Sequence, residues 1–424
     1  MAAEARKVLL ILGALTLACA VDPVSHRKSH VLKHGTSERL TSAVRRQESQ
    51  KKAANKNMLQ DRYPFYHTTS QIRDEARDLV NSCNGRASMW SVNESDVGMD
   101  VIRVNSSKPD PPNRVFIMFG EHSRELISPE SGLALLKMLC GADDSQHDLV
   151  RETLQESEFA MILNANPRSR LEVEEGNYCK RTNPSGVDLN RNWDEDWSKE
   201  SANFGADSFP GPQPFSEPET RLMKSVVAAY QPTTYLTVHS GTLGMYMPWA
   251  YDMEHLASRN QKPMMEILQQ LDVDHCQCPF GAAGKEVGYN CPGTSLDWIY
   301  DKLNISYAFA FEIWVDSALQ ADLKDRWKQQ HSHNGSQLEQ GQSLLQLADK
   351  RFSSLFQAHE SDFVHLSTKE GSDTHRWNCF KQYNPNTEAD YNSAVSNWAK
   401  AYLHMAQKVV ERMKDSGASA TEVK

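Results

Sequence analysis

Residues 114–130, RVFIMFGEHSRELISPE, contain a complete strand–loop–helix passage. Val115 to Phe119 is an unbroken apolar run, which is what a strand buried on both faces requires. Gly120 to Glu125 then concentrates glycine and charge in a loop. Ser128-Pro129-Glu130 reads as a helix start, with serine as N-cap and proline in the first turn.

Similar passages recur along the chain. Phe159–Leu163 is apolar and ends at Asn166-Pro167. Ser216-Glu-Pro-Glu219 has capping-box spacing ahead of a helix to about Tyr230. Thr233–Val238 is a β-branched strand that stops at His239. Ile305–Phe311 is a strand that stops at Glu312. A helix over about 388–413 closes the pattern. Strands alternating with helices predict an α/β fold: a mixed, mostly parallel twisted sheet with helices on both faces. In such sheets ligands bind beyond the carboxyl ends of strands. His122, His239 and Glu312 all lie there.

The chain has 424 residues and a formal charge of −9. Its 39% apolar content supports a sizeable core, as one large domain or as two or three average ones. With 21 Gly, 18 Pro and no repeat, it is neither fibrous nor wholly disordered. The acidic balance argues against nucleic acid as a partner.

Arg6-Lys7, the apolar run 8–17 and Ala18-Cys19-Ala20 read as a secretory signal peptide over residues 1–20. No later stretch has the apolar length of a membrane span. Sequons at Asn93, Asn105, Asn304 and Asn334 agree with the secretory route. Residues 21–62 carry ten Lys/Arg against four Asp/Glu, so the rest of the chain is more acidic than the whole. This basic stretch, with Arg45-Arg46 and Lys51-Lys52, reads as a removable pro-segment lying on an acidic body, or as a solvated tail.

Seven cysteines remain after Cys19 leaves with the signal, so most should pair and one is left over. Cys276-Gln277-Cys278 is read as too tight to pair with itself. The absence of any C-x-x-C argues against a Cys/His zinc site.

His122 and Glu125 are spaced to reach one ion, and His239 offers a third donor. Two His and one Glu leave a position for water, the pattern of a catalytic zinc site. Taken alone, His239 would pass as a core histidine. Residues 179–193, CKRTNPSGVDLNRNW, gather Arg181, Asp188, Asn190 and Arg191 in a turn-rich segment suited to gripping a carboxylate.

In these residues the chain resembles the zinc metallocarboxypeptidases of the pancreatic carboxypeptidase A/B type. GEHSRE, GVDLNRNW, PFSEPET, LTVHS and SYAFAFE occur in that family's order. The resemblance covers about 63–312 and resumes weakly at 379–383 and in the last helix. It implies one catalytic domain over 63–413 and one Zn2+ per chain, bound by His122, Glu125 and His239. Asp188 would orient the first histidine. Arg181 would stabilise the oxyanion and Glu312 would act as general base. Asn190 and Arg191 would hold the substrate's terminal carboxylate, with Arg124 further along the peptide. Tyr289 falls at the mobile pocket tyrosine and Leu296 at the position that selects the C-terminal side chain. Leucine there implies apolar or aromatic preference; Asp297 in that position would reverse it.

The implied protein is a secreted, monomeric exopeptidase acting on peptide or protein C-termini. The competing readings are an inactive C-terminus-binding relative and a zinc hydrolase of acylated amino acids. Three departures from the family are expected. Residues 21–62 are too short and polar for a folded inhibitory pro-domain. No β-sandwich follows residue 413, only a polar tail over 414–424. A polar insertion over about 313–375, with a helical run at 343–356, reads as surface decoration, with a lid or rim as the alternative, and its His331 and His333 read as solvated rather than metal-binding.

Overall fold

The computed structural model describes residues 57–199, 205–327 apart from 318, 322 and 326, and 371–421. The signal segment, the dibasic sites, most of the insertion, His331, His333, the run 343–356 and the Asn334 sequon lie outside the described residues.

Eight strands form one sheet: β1 Ala87–Glu94, β2 Val97–Val104, β3 Asn113–Phe119, β4 Ser157–Ile162, β5 Thr234–His239, β6 Leu243–Met247, β7 Phe280–Ala282 and β8 Tyr307–Ile313. Their spatial order is β1-β2-β4-β3-β5-β8-β6-β7. The four central strands, β4-β3-β5-β8, run parallel, while β1, β2 and β6 make the antiparallel pairings. Every residue of β4 and β5 is buried, as expected of central strands covered on both faces.

Register sorts the side chains into two layers, because neighbours opposite one another share a face. Phe116 pairs with Tyr235 and stacks near Tyr230 of the helix Pro218–Tyr230. Phe119 and Phe311 face the other way, against Tyr402 of the helix Glu388–Thr421. Helices therefore cover both faces. Thr237, His239 and Glu312 fall on the first of them, since Val238 pairs with Phe311 and His239 with Glu312.

Several local expectations are corrected. Ser128 is not an N-cap: the helix Ile127–Leu139 starts two residues earlier than a Ser128 cap would set, after Leu126, with no side-chain cap. Asn384 Oδ1 accepts from Ile127 N instead, which frees the Ser128 hydroxyl to accept from Gly120 N and donate to Val238 O. Glu217 precedes the Pro218 helix without a capping box, because Asn192 Oδ1 takes the Glu217 N–H. β8 runs through Glu312 rather than stopping before it. The last helix continues to Thr421, past the expected end at 413, with Lys408–Glu411 and Arg412–Asp415 pairs along it.

Disulfides join Cys83 to Cys140, Cys179 to Cys379 and Cys276 to Cys278. The last overturns the expectation for Cys276-Gln-Cys278. Gln277 adopts a left-handed backbone (φ 53°), and Asp272 binds Gln277 N through its carbonyl and Cys278 N through its carboxylate. That turn brings the two sulfurs together. Among the described residues Cys291 is the cysteine outside a disulfide, and it is buried. Asn93, Asn105 and Asn304 are exposed. No helix among the described residues is long and apolar enough to cross a membrane.

Candidate active site

Three parallel strands end at one place. β3 delivers the loop Gly120–Glu125, β5 ends in His239, and β8 carries Glu312 opposite His239. Gly120 makes the exit from β3 possible: its φ is +70°, and an added Cβ would sit 3.0 Å from Pro129.

Within this corner Glu125 divides its carboxylate between two imidazoles. Oε1 lies 2.8 Å from His122 Nδ1 and Oε2 lies 3.1 Å from His239 Nδ1, while Ser240 N donates to Oε2. The two Nδ1 atoms are 3.1 Å apart. One donor atom from each of the three residues falls within 4.8 Å of the others, and all three residues are buried. Burial opposes charge on Glu125, yet the imidazoles hold its carboxyl below the usual range. Burial likewise opposes charge on His239, but Glu125 lifts it to about 9. The pocket is built for positive charge.

Two facing ring nitrogens can share at most one proton, and the carboxylate closes the third side. A cation satisfies all three lone-pair donors at once, and two imidazoles with one carboxylate are a donor set suited to zinc. Residues His122, Glu125 and His239 therefore fit that ion.

Asp188 supports this corner from a distant segment. Its Oδ1 lies 3.1 Å from His122 Nε2 and accepts Asn190 N, and its Oδ2 accepts from Arg181 Nε at 2.9 Å. Burial works against the Asp188 charge, but Arg181 and His122 hold it well below the usual carboxylate range. Burial also works against Arg181, whose charge is secured by Asp188 and Glu125; its Nη1 lies 3.7 Å from Glu125 Oε1. Asn190 Oδ1 accepts from Ser295 N, and its Nδ2 lies 3.5 Å from His239 Nε2.

Glu312 is half-buried, and its Oε2 is shut from solvent with no hydrogen-bond partner. Burial, then the Glu125 charge, pushes its carboxyl up to about 8 against the pull of His239 and Arg181. A carboxyl held near neutrality suits a group that takes and returns a proton.

Arg191 is buried and donates to Asn190 O; burial opposes its charge, but Cys291 and Asp188 hold it above the usual value. Arg124 reaches Asp207 and Cys179 O with its guanidinium over the Tyr383 ring. Tyr289 is half-buried and packed against the core. Leu296 is buried in the first turn of the helix Ser295–Lys302. Asp297 turns elsewhere: its carboxylate accepts from Ala250 N and Tyr251 N.

Residues 72–333 match the zinc carboxypeptidase family, peptidase M14. The chain belongs to that family. Among zinc carboxypeptidases it is 26% identical over 267 residues to zinc carboxypeptidase A 1 of Anopheles gambiae, covering 59% of this chain and 60% of that one. It is 25% identical over 270 residues to carboxypeptidase A2 of Rattus norvegicus, covering 59% and 63%. The chain thus spans about 60% of the length of these curated relatives. The fold is shared with thrombin activatable fibrinolysis inhibitor (TM-score 0.59, 18% identity, 82% of this chain and 75% of that one). It is also shared with carboxypeptidase A from Helicoverpa armigera (TM-score 0.53, 19% identity, 61% and 69%). Membership of the zinc carboxypeptidases implies a zinc cofactor, in agreement with the donor set.

Sequence reading missed four contributors. Glu121 and Thr237 lie under His239, Ser295 binds Asn190, and Tyr383 stacks beneath Arg124. Two had visible signals: Glu121 adjoins His122 in GEHSRE, and Thr237 precedes His239 by one strand period.

Proposed function

We propose that the protein is a zinc-dependent exopeptidase that removes the C-terminal residue from peptides or proteins, by way of a catalytic domain over 63–413. The observation that carries this reading is the convergence of His122 Nδ1, Glu125 and His239 Nδ1 at the ends of parallel strands, with Glu312 in register beside His239. A zinc ion held by these three residues supplies a Lewis acid and an acidified water.

The protein's own groups perform the rest. Glu312 takes the proton of the attacking water and returns it to the leaving amine, general base then general acid. Arg181, aligned by Asp188, donates to the carbonyl oxygen as negative charge develops there. Asn190 and Arg191 hold the substrate's free carboxylate, which an internal peptide bond lacks, so the scissile bond is placed by its distance from the terminus. Arg124 binds the peptide further from its end, and Tyr289 closes over the terminal side chain.

Leu296 supports a preference for apolar or aromatic terminal residues. Commitment of the Asp297 carboxylate to Ala250 N and Tyr251 N supports Leu296 over Asp297 as the selecting residue. The three disulfides support passage through an oxidising compartment, in keeping with a secreted protein and a leading signal segment.

The test is cleavage of one peptide ending in Phe and the same peptide ending in Lys, with and without a zinc chelator, by wild type and Glu312→Gln. Chelator-sensitive loss of Phe that the variant lacks is the expected result. Release of Lys alone overturns the specificity. Release of neither by the zinc-loaded protein overturns the activity.

A further inference from the structure

Glu121 is a buried carboxylate that the chemistry above leaves without a role. It is 1% exposed, and burying so polar a group is costly unless its partners need it. Its Oε1 accepts from the indole N–H of Trp193 at 3.2 Å. Its Oε2 lies 3.4 Å from Ser295 Oγ, 3.5 Å from Thr237 Oγ1 and 3.5 Å from His239 Nε2. The Thr237 hydroxyl lies between acid and imidazole, 2.9 Å from His239 Nε2.

These contacts define a direction. His239 turns Nδ1 toward Glu125 and His122, so a lone pair there requires the ring proton on Nε2. The Nε2–H then donates to Thr237 Oγ1, and that hydroxyl has its own proton to place. Glu121 Oε2 accepts it. In the opposite tautomer Nε2 would take the Thr237 proton, with Asn190 Nδ2 also 3.5 Å away, and Glu121 Oε2 would then face the lone pairs of Thr237 Oγ1.

We propose that Glu121 is a positioning residue that acts through Thr237 to hold His239 in the tautomer presenting Nδ1 to the metal. It is the counterpart, from the neighbouring position, of what Asp188 does for His122. Each imidazole is thus backed by its own buried carboxylate, one directly and one through a hydroxyl. The inference rests on the metal site proposed above.

The test is zinc affinity, measured by competition with a chelator of known affinity on the intact protein, for wild type, Glu121→Gln, Thr237→Val and the double variant. Each single substitution is expected to weaken zinc binding about 10- to 100-fold. The double variant should be no weaker than the worse single one, because both break one chain of bonds. Thr237→Ser keeps the hydroxyl and should bind like wild type, which preserves the test if Glu121→Gln fails to fold. Single variants within twofold of wild type, or effects that multiply in the double variant, overturn the relay. Wild-type protein that binds no zinc overturns the metal site itself, and the relay with it.

Discussion

Glu286→Gln should stabilise this protein at alkaline pH and do little in acid. Glu286 lies in the short helix Ala283–Val287, is 6% exposed, and has a buried Oε2 with no hydrogen-bond partner. Its carboxyl packs on Gly281, where an added Cβ would meet Oε1 at 2.9 Å. Burial pushes it from 4.5 up to about 7, with only the Lys285 charge pulling back. The folded state therefore holds this proton more tightly than the unfolded chain. Stability is greatest below the unfolded value, falls as pH rises from there to about 7, and is flat above. At about 1.4 kcal/mol per pH unit, the interval corresponds to about 3–4 kcal/mol at most. Glutamine keeps the shape and never ionises, so it escapes the loss. Chemical unfolding of both proteins at pH 5 and pH 8.5 is the assay. The variant should gain about 1–3 kcal/mol on wild type between those conditions. A difference that does not change with pH would refute the argument, because it would mean that Glu286 ionises as freely folded as unfolded.

Three further outcomes are expected. Asp188→Asn removes the anion shared by His122 Nε2 and Arg181 Nε, so zinc affinity should fall about 10- to 100-fold and kcat/KM with it; unchanged chelator competition would contradict the role. Asp297→Asn, in which one amide oxygen must replace a carboxylate bound by two backbone N–H groups, should cost about 1–3 kcal/mol in denaturant unfolding while Phe-over-Lys selectivity stays; altered selectivity would place Asp297 against the substrate. Replacing Cys179 and Cys379 together by Ala opens a closure spanning 200 residues, which the chain-entropy treatment sets at roughly 5 kcal/mol, so Tm should drop by many degrees; an unchanged Tm would contradict it.

Local patterning determined a large part of this molecule. The apolar run 115–119, the β-branched stretch 233–238 and the strand ending near Glu312 are short-range signals, because strand burial is written residue by residue. The His122–Glu125 spacing is equally local, and so was legible as a pair of donors. Boundaries were less legible. Ser128 and Ser216 looked like helix caps, but Asn384 and Asn192, far away in the chain, supply the missing acceptors.

Tertiary structure alone decided which groups meet. Asp188 reaches His122 across 66 positions, and Glu121 reaches Thr237 across 116. The Cys276–Cys278 closure depended on Asp272 gripping the turn, which spacing could not disclose. The engagement of the Asp297 carboxyl by Ala250 N and Tyr251 N likewise depends on a loop some 46 positions away. The division has one physical cause: periodicity and propensity act over a few residues, whereas a site is assembled by chain segments that only the packing of the sheet brings into contact.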